Sequence, residues 1–296
     1  MLLREVIQSL ALEPGLTVLD GTVGGGGHSR RILEAIGPSG QLIGLDRDPM
    51  MLELARQNLM ASGLRNFQLK HASYSEMESV LKEFGLDCVD RVLLDLGLSS
   101  DQLNDPKRGF GIESQGALDL RFDTSRGVPA WKYLKKLSEQ DIANLIHQFG
   151  EERFSRAIAG MLSQAVQSGN LRTVDDLARV VDEAIPKSVR GNDRRKILIR
   201  VVQSLRIAVN DELGHLKDVL ENSLYQVLSD SGRVAIISFH SLEDRLVKTE
   251  FRDKSRWENL TPKPIEATSV EKKVNPRCRT AKLRVAKKRE TKTVPR

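Results

Sequence analysis

A run of glycines is the first part of this sequence that could support chemistry. In "LDGTVGGGGHS", Asp20 is followed at alternate positions by Thr22, Gly24 and Gly26. Glycine tolerates positive φ and lets backbone N–H groups approach a ligand closely, and the N-terminus of a following helix attracts electronegative groups. The loop therefore predicts a small-molecule site, and the alternative is a flexible turn.

The spacing of this loop favours one class of cofactor over another. Apart from Thr22 in the first glycine position, it matches the D-x-G-x-G-x-G pattern of enzymes that use S-adenosylmethionine (SAM). A dinucleotide fingerprint needs glycine or alanine where Ser29 stands, so NAD fits less well. We expect SAM, with an NAD-dependent oxidoreductase as the competing hypothesis.

Two further carboxylates end apolar segments. Asp46 closes "QLIGLD", where an acid can accept both ribose hydroxyls of a nucleotide, although Asp46 or Asp48 could instead cap the helix that Pro49 begins. Asp95 ends "DRVLLD" and is followed by the polar loop "LGLSSDQLNDPKRGFG". Open α/β sheets bind ligands at the carboxyl ends of their strands, so cofactor and substrate should meet there.

The elements that must position these residues alternate along the chain. Apolar runs predict strands over residues 16–20, 41–46, 67–71, 90–97 and 232–239, with helices over 28–36, 49–62 and 74–84. This alternation predicts an α/β fold with a parallel, Rossmann-like sheet.

The middle of the chain lacks strand patterns. "IANLIHQF" places apolar residues on one helical face, and helices are predicted over 151–169, 173–185 and 194–229. We therefore predict a discontinuous SAM-binding methyltransferase domain, residues 1–103 and 230–296, with an inserted all-helical domain over 104–229 that covers the cofactor cleft from one side and supplies RNA contacts.

Composition excludes several classes of protein. The 296 residues are 40% hydrophobic and 29% charged, and no apolar run is long enough to cross a membrane. The N-terminal segment is too short and too charged for a signal peptide and predicts a small amphipathic helix. Cys88 and Cys278 form no ligand cluster. A cytoplasmic protein without a structural metal is expected.

Positive charge is concentrated near the C-terminus. Residues 272–296 hold eleven Lys or Arg and one acid, whereas the rest of the chain has 35 basic and 39 acidic residues. A basic segment on a mildly acidic body predicts a polyanionic partner, RNA first, and the alternative is a solvated tail.

Nine segments together resemble one known family. In chain order they are "DGTVGGGGHSRRIL", "GLDRDP", "LLDLGLSSDQL", "RGFG", "GALDLRFD", "FGEERFSRAIA", "VVQSLRIAVNDEL", "SFHSLEDRLVK" and "NPRCRTAKLRVA". They resemble the bacterial ribosomal RNA cytosine-N4 methyltransferases of the RsmH (MraW) family over nearly the whole chain. The resemblance implies SAM-dependent methylation of a cytosine N4 in the decoding region of 16S rRNA, within the small ribosomal subunit.

The resemblance also implies a set of cofactor contacts and two departures. Carried over by position, the SAM contacts are Gly26, Gly27, His28, Asp46, Tyr74, Asp95 and Gln102. The family usually has a His-x-Pro-Val segment before "LLREV", so a misassigned start codon or a missing substrate contact is expected. Cys278 stands where serine or alanine is usual, and it is not expected to be a nucleophile.

Candidates for the chemistry itself are two acids. The cytosine amine is a poor nucleophile, so it needs an acceptor that localises its lone pair, in-line alignment and exclusion of water. Asp95 is placed for this role by analogy with other amino-methyltransferases, and Asp119 in "GALDLRFD" is the second candidate. The alternative for Asp119 is a salt bridge to Arg121.

The remaining candidates concern the substrate. His28 is expected beside SAM rather than as a general base. His240 could contact the base or a phosphate, or tie its loop to Glu243 or Asp244. The predicted RNA contacts are Arg195, Lys196, Arg200 and Arg206 on the helix from 194, and Arg277, Arg279, Lys287, Lys288 and Arg289 near the C-terminus.

The C-terminal segment is predicted to have two parts. In "AKLRVAKK", Leu283 and Val285 alternate with basic residues, which predicts an edge strand packed on the sheet. Residues 287–296 should form a mobile basic extension. Other hypotheses kept open are a methyltransferase for DNA or a small molecule and a non-catalytic RNA-binding protein. Oligomeric state does not follow from the sequence.

Overall fold

The computed structural model describes residues 1–290 and divides the chain into two compact units. A sheet unit comprises Met1–Gly97 and Leu213–Arg296, and a helical unit comprises Leu98–Glu212. The contact boundaries fall at 97/98 and 212/213, whereas the sequence pattern places them at 103/104 and 229/230. The second difference arises because residues 216–227 bury Leu216, Leu220 and Leu224 in the core of the sheet unit.

Eight strands form one sheet. The order is β3-β2-β1-β4-β5-β8-β6, with β7 also paired to β8, and β8 runs antiparallel to β5, β6 and β7. Strands β1 to β5 are mutually parallel, which gives the Rossmann-like arrangement that the alternating pattern predicted. The strands are β1 (Thr17–Asp20), β2 (Gln41–Asp46), β3 (Phe67–His71), β4 (Val89–Asp95), β5 (Leu228–Ser238), β6 (Trp257–Asn259), β7 (Ile265–Glu266) and β8 (Lys282–Lys288).

Fourteen α-helices occur in the described residues. They are α1 (Leu3–Leu10), α2 (Gly27–Ile36), α3 (Pro49–Ala61), α4 (Met77–Glu83), α5 (Ser100–Asn104), α6 (Ala130–Leu134), α7 (Glu139–Gly150), α8 (Ser155–Gln167), α9 (Val174–Ala184), α10 (Gly191–Asn210), α11 (Glu212–Asp218), α12 (Leu224–Val227), α13 (Ser241–Glu250) and α14 (Ser269–Val274). Short 3₁₀ segments span Tyr74–Glu76 and Pro276–Thr280, and a π-helical turn spans Val219–Ser223. No helix in residues 1–290 is long and apolar enough to span a membrane.

The sheet positions the candidate site because β1, β2 and β4 each have a buried apolar stretch directly before an aspartate at the carboxyl end. In β4, Val92, Leu93 and Leu94 are buried, and the polar Asp95 follows at the carboxyl end. A parallel strand covered on both faces reads as such a continuous apolar run. The polar residues that follow β1, β2 and β4 therefore come to one edge of the sheet.

The helical unit has its own core. Leu134, Ile146, Leu162, Leu177 and Leu205 are among the buried residues that pack together there. An isolated bridge pairs Ala117 with Thr173, and the unit contains no strand among the described elements.

Two sequence predictions of local structure are wrong. The single helix predicted over 194–229 stops at Asn210, because Asp211 adopts left-handed φ and ψ of 48° and 43°. Strand β8 is not an edge strand, because it lies between β5 and β6 and continues through Lys288. Four successive residues of β8, Leu283 to Ala286, are therefore buried, including Arg284.

Candidate active site

The glycine loop joins β1 to α2 with two residues in the left-handed region. Gly24 has φ of 52° and Gly26, which precedes the first residue of α2, has φ of 84°. A Cβ built on Gly24 or Gly27 would meet no atom within 4 Å, so the backbone is open on that side. Main-chain N–H groups can therefore face a ligand there without interference from side chains.

Asp20 holds the two ends of the loop together. Its carboxylate accepts hydrogen bonds from Ser29 Oγ at 2.6 Å and from the Thr22 N–H at 3.1 Å. Burial raises the pKa of Asp20, and the hydrogen bond from Ser29 opposes that rise. Ser29, which made the loop a poor dinucleotide fingerprint, thus has a structural role in fixing α2 against β1.

Asp46 lies at the end of β2 and contacts the same loop. It accepts the Gly24 N–H at 2.7 Å and the Asp48 N–H at 2.9 Å. Burial raises the pKa of Asp46 to about 6, although both N–H donors favour the ionised form. Asp48 caps α3 by accepting the Met50 N–H, so the cap and the ligand-facing acid are different residues.

Asp95 completes the set at the end of β4. Its backbone N–H donates to Thr22 Oγ1 at 2.6 Å, which joins β4 to the glycine loop. Its Oδ2 lies 3.6 Å from His28 Nδ1, and both side chains keep part of their surface exposed. Thr22, which departs from the usual glycine of the loop pattern, therefore makes a contact that glycine could not make.

His28 is held from its other side. Nε2 lies 2.9 Å from the Met1 carbonyl oxygen, which can only accept, so Nε2 carries the proton. Nδ1 is consequently directed toward the Asp95 carboxylate. His28 is thus a fixed neighbour of Asp95 at the first turn of α2.

Tyr74 lies beneath the loop. It is buried in the sheet-unit core, and a Cβ on Gly21 would come within 3.0 Å of Tyr74 Cβ and 2.5 Å of a Leu94 methyl group. The absence of a side chain at Gly21 therefore lets β1, β4 and the segment after β3 approach closely.

The arrangement of these residues within the sheet unit suits a nucleoside-like ligand. It combines an open glycine backbone, a helix start and carboxylates at the ends of β2 and β4. Hydroxyl and amino groups suit such acceptors, and the N–H groups of the loop suit a carboxylate. SAM carries ribose hydroxyls, an amino group and a carboxylate, so the residues present fit it.

Comparison with known proteins agrees with this chemistry. The model of the MraW methylase family matches residues 1–289. The chain belongs to this family. The family is one of SAM-dependent methyltransferases, so the competing NAD hypothesis is wrong.

Curated relatives share the full length of the chain. A protein of Sorangium cellulosum is 43% identical over 96% of this chain and 89% of its own. Proteins of Rhodopirellula baltica and Geobacter sulfurreducens are 44% and 42% identical, over 97% and 96% of this chain and 90% and 96% of their own. Each relative is named ribosomal RNA small subunit methyltransferase H.

Two predicted site residues lie in the helical unit and have local partners there. Gln102 Oε1 accepts the Ser99 N–H at 3.0 Å in a capping box at the start of α5. Asp119 forms a two-pronged ion pair with Arg121, at 2.7 and 2.8 Å. The salt-bridge alternative for Asp119 is therefore present in the structure.

The predicted basic face of α10 is largely neutralised within its own unit. Arg195 pairs with Glu113 at 2.7 Å and Lys196 with Asp193 at 3.0 Å. Arg200 Nε donates to the fully buried Glu152 at 2.9 Å. Arg206 forms two 2.8 Å hydrogen bonds with Glu212. These side chains have structural acidic partners, which the sequence pattern did not show.

His240 ties its own loop. It precedes α13, and its Nδ1 accepts the Glu243 N–H at 3.4 Å while Nε2 lies 3.1 Å from Glu243 Oε1. Glu243 also accepts the Phe239 N–H at 2.8 Å. The Phe239 ring in turn covers Gly97, where a Cβ would come within 2.5 Å of it. Phe239 and Gly97, which sequence reasoning missed, thus help to position the segment that follows Asp95.

The C-terminal basic residues are less free than predicted. Lys288 Nζ donates to the Leu228 carbonyl at 2.7 Å, and Arg289 Nε donates to the Trp257 carbonyl at 3.1 Å. Arg284 is buried against Asp244 at 2.6 Å. The mobile extension predicted from Lys287 is wrong for Lys287, Lys288 and Arg289, and residues 291–296 lie outside the described part. Lys287 is half-buried, and Arg277 and Arg279 lie in the 3₁₀ segment.

Proposed function

We propose that the protein methylates the N4 amine of a cytosine in the decoding region of 16S rRNA, in the cytoplasm and within the small ribosomal subunit. The observation that carries the proposal is the placement of Asp46 and Asp95 on either side of the open glycine loop. The names of the relatives support an rRNA substrate.

Within this proposal the sheet unit binds the cofactor. Gly27 presents its backbone N–H at the start of α2, and Asp46 accepts the ribose hydroxyls. The Gly26 N–H already donates to the Val23 carbonyl at 2.9 Å, so Gly26 contributes a van der Waals contact rather than a donor. The hydrogen bonds from Gly24 and Asp48 keep the Asp46 carboxylate in one orientation. Tyr74 supports the floor of the site, and His28 is a further proposed contact. When bound, SAM supplies an electrophilic methyl group on a sulfonium.

Asp95 is the proposed catalytic residue. The cytosine N4 lone pair is delocalised into the ring, so the amine gains nucleophilicity when an acceptor binds one of its protons. Asp95 offers a carboxylate whose backbone is fixed by Thr22 and whose side chain lies beside His28. Asp95 would accept the departing N4 proton as the N–C bond forms and the methyl–sulfur bond of the sulfonium breaks, so that the methylated amine is neutral. The bidentate pair with Arg121 makes Asp119 the weaker candidate for this role.

The proposal is tested by transfer of labelled methyl groups from SAM to small ribosomal subunits from cells that lack the protein. Mass spectrometry of the 16S rRNA should then locate one N4-methylated cytosine. Asp95→Asn should lower the rate of transfer by about 10²-fold or more, the range for loss of a positioned acid–base group. Asp101→Asn, an exposed acid in α5, is the matched control.

Each other outcome has a meaning. Transfer to duplex DNA or to a small molecule, with none to rRNA, would replace the substrate class and keep the cofactor site. Full activity in Asp95→Asn would remove Asp95 from the chemistry. Equal activity on naked 16S rRNA and on the particle would show that the assembled subunit is not required.

A further inference from the structure

Two basic side chains of the helical unit contact one tryptophan ring, and two further exposed lysines lie close to it along the chain. Lys132, Lys135 and Lys136 follow Trp131 in and just after α6, and Arg172 approaches the same ring from the segment before α9. We refer to Trp131, Lys132, Lys135, Lys136 and Arg172 as the tryptophan patch. All four of its basic residues are exposed.

The geometry of the patch follows from short-range contacts. Ala130 and Leu134 are buried, whereas Lys132, Lys135 and Lys136 are exposed, so the lysines lie on the side of this segment that faces away from the core. The backbone N–H of Trp131 donates to the Leu118 carbonyl at 3.2 Å, and the backbone N–H of Leu118 donates to the Arg172 carbonyl at 2.8 Å. Two chain segments far apart in sequence are thus held on either side of Leu118.

The ring orients the cations above it. The Arg172 guanidinium carbon lies 3.8 Å from the Trp131 ring centroid, and the Lys132 ammonium lies 5.2 Å from it. Stacking occupies the face of a guanidinium and leaves its N–H edge available for a two-pronged contact with a phosphate. Arg172 is therefore preorganised as a phosphate donor.

The patch differs from α10 in that its charge is not compensated. Within residues 1–290, none of its four cations has a carboxylate oxygen within the 4.0 Å of an ion pair. The nearest acids along the chain, Glu139 and Asp175, do not pair with them. Asp176 accepts the backbone N–H of Arg172 and pairs with Arg179 instead. Two uncompensated cations over the Trp131 ring and two exposed lysines next to them along the chain suit a polyphosphate backbone such as that of RNA.

We infer that the tryptophan patch binds the phosphate backbone of the RNA substrate, an inference that rests on the proposed function. Binding there positions the RNA without reading its sequence, because phosphate contacts carry no base information. The basic face of α10 contributes less, because its side chains are already paired with Glu113, Asp193, Glu152 and Glu212.

The test measures affinity for a 16S rRNA fragment against salt concentration, without SAM. Replacing Lys132, Lys135, Lys136 and Arg172 by Gln should reduce the log–log salt slope by about 3, since each lost phosphate contact contributes about 0.7 to 0.9. The affinity for SAM should stay unchanged, and the melting temperature should fall only slightly, through loss of the contact between Arg172 and Trp131. The charge-conserving changes Lys135→Arg and Lys136→Arg, made in the wild-type background, should leave the salt slope unchanged.

A matched comparison separates this patch from net charge. Lys135→Gln with Lys136→Gln should lower the slope by about 1.5. Arg126→Gln with Arg179→Gln removes the same charge from exposed residues of the same unit that pair with Asp123 and Asp176, and it should leave the slope nearly unchanged. Equal changes in the two double variants would overturn the inference, as would a wild-type slope in the quadruple variant. Because the readout is binding, absence of methyl transfer by the wild-type protein would reject the proposed function and leave this result interpretable.

Discussion

The sequence predicted functional residues both at the glycine-loop edge of the sheet and on the basic face of α10. In the structure the two regions differ in how their charged side chains are partnered. At the sheet edge, the Asp46 carboxylate accepts a hydrogen bond from the Gly24 N–H, and the Asp95 backbone N–H donates one to Thr22 Oγ1. Both acids remain only half-buried. On α10, the basic groups meet acids contributed by other segments, such as Glu113, which is 82 residues from Arg195. Residue type and spacing are informative about a site when the topology of the sheet determines its surroundings. They are not informative when side chains distant in sequence determine whether a charged residue is paired.

The sharpest test of this comparison is Arg200→Ala. The change leaves the buried Glu152 without its cation, so the free energy of unfolding should fall by about 2–3 kcal/mol, somewhat below the value for a fully buried pair because Arg200 is partly exposed. Arg195→Ala, which breaks an exposed pair with Glu113, should cost less than about 1 kcal/mol. Urea unfolding measures the free energy of unfolding of both variants. Similar decreases in the two variants would show that the buried Glu152 does not depend on Arg200 for its stability.

The corresponding test at the sheet edge is Asp46→Ala. Loss of hydrogen bonds from the ribose to a charged group should weaken SAM binding by roughly 1.5–3 kcal/mol, measured by calorimetry. Glu53→Gln, an exposed acid on α3 that pairs only along its own helix, is the control. An unchanged SAM affinity in Asp46→Ala would exclude Asp46 from the cofactor site.

A smaller effect is expected from pH. The pKa of Asp46 is about 6 in the folded protein, above its ordinary value of 3.8, so the unliganded protein takes up this proton before the unfolded chain does. As pH falls from 6 toward 4, protonation of Asp46 therefore adds to the free energy of unfolding. Over the same range the ionised carboxylate, which we propose accepts the ribose hydroxyls, disappears.

SAM affinity should consequently weaken by about tenfold at pH 5 relative to its plateau above pH 7. Asp46→Asn should lack this component and show a flatter profile, although Asp20, whose pKa is also raised, stays in both proteins. Parallel profiles in the two proteins would assign the titration to a group other than Asp46.

The sequence predicted the parallel strands of the sheet well because the signals for them lie within each strand and the residues directly after it. Strands β1 to β4 follow from apolar runs, and their polar ends share an edge in any parallel sheet. The position of β8 could not be read in this way. Its alternation of apolar and basic residues indicated an edge, whereas Asp244 on α13 neutralises Arg284 and allows that strand to be buried.

In the helical unit, too, local patterns predicted the elements but not the features that depend on tertiary structure. The periodicity of α7 to α10 was visible, but the end of α10 depends on a left-handed Asp211 that no proline or glycine marks. The tryptophan patch was also missed, because Arg172 is far in sequence from Trp131 and a short helix has a weak pattern. In each case the sequence does not show which residues become spatial neighbours in the fold.

The position of β8 in the sheet has a consequence for how the chain matures during synthesis. The helical unit, Leu98–Glu212, is continuous in sequence, so all of its residues are synthesised before β5. Strand β5 must instead wait for residues 282–288 before its second edge is paired. During that interval an apolar strand edge is open to pairing with other chains, which makes elongation through β8 the step most exposed to aggregation.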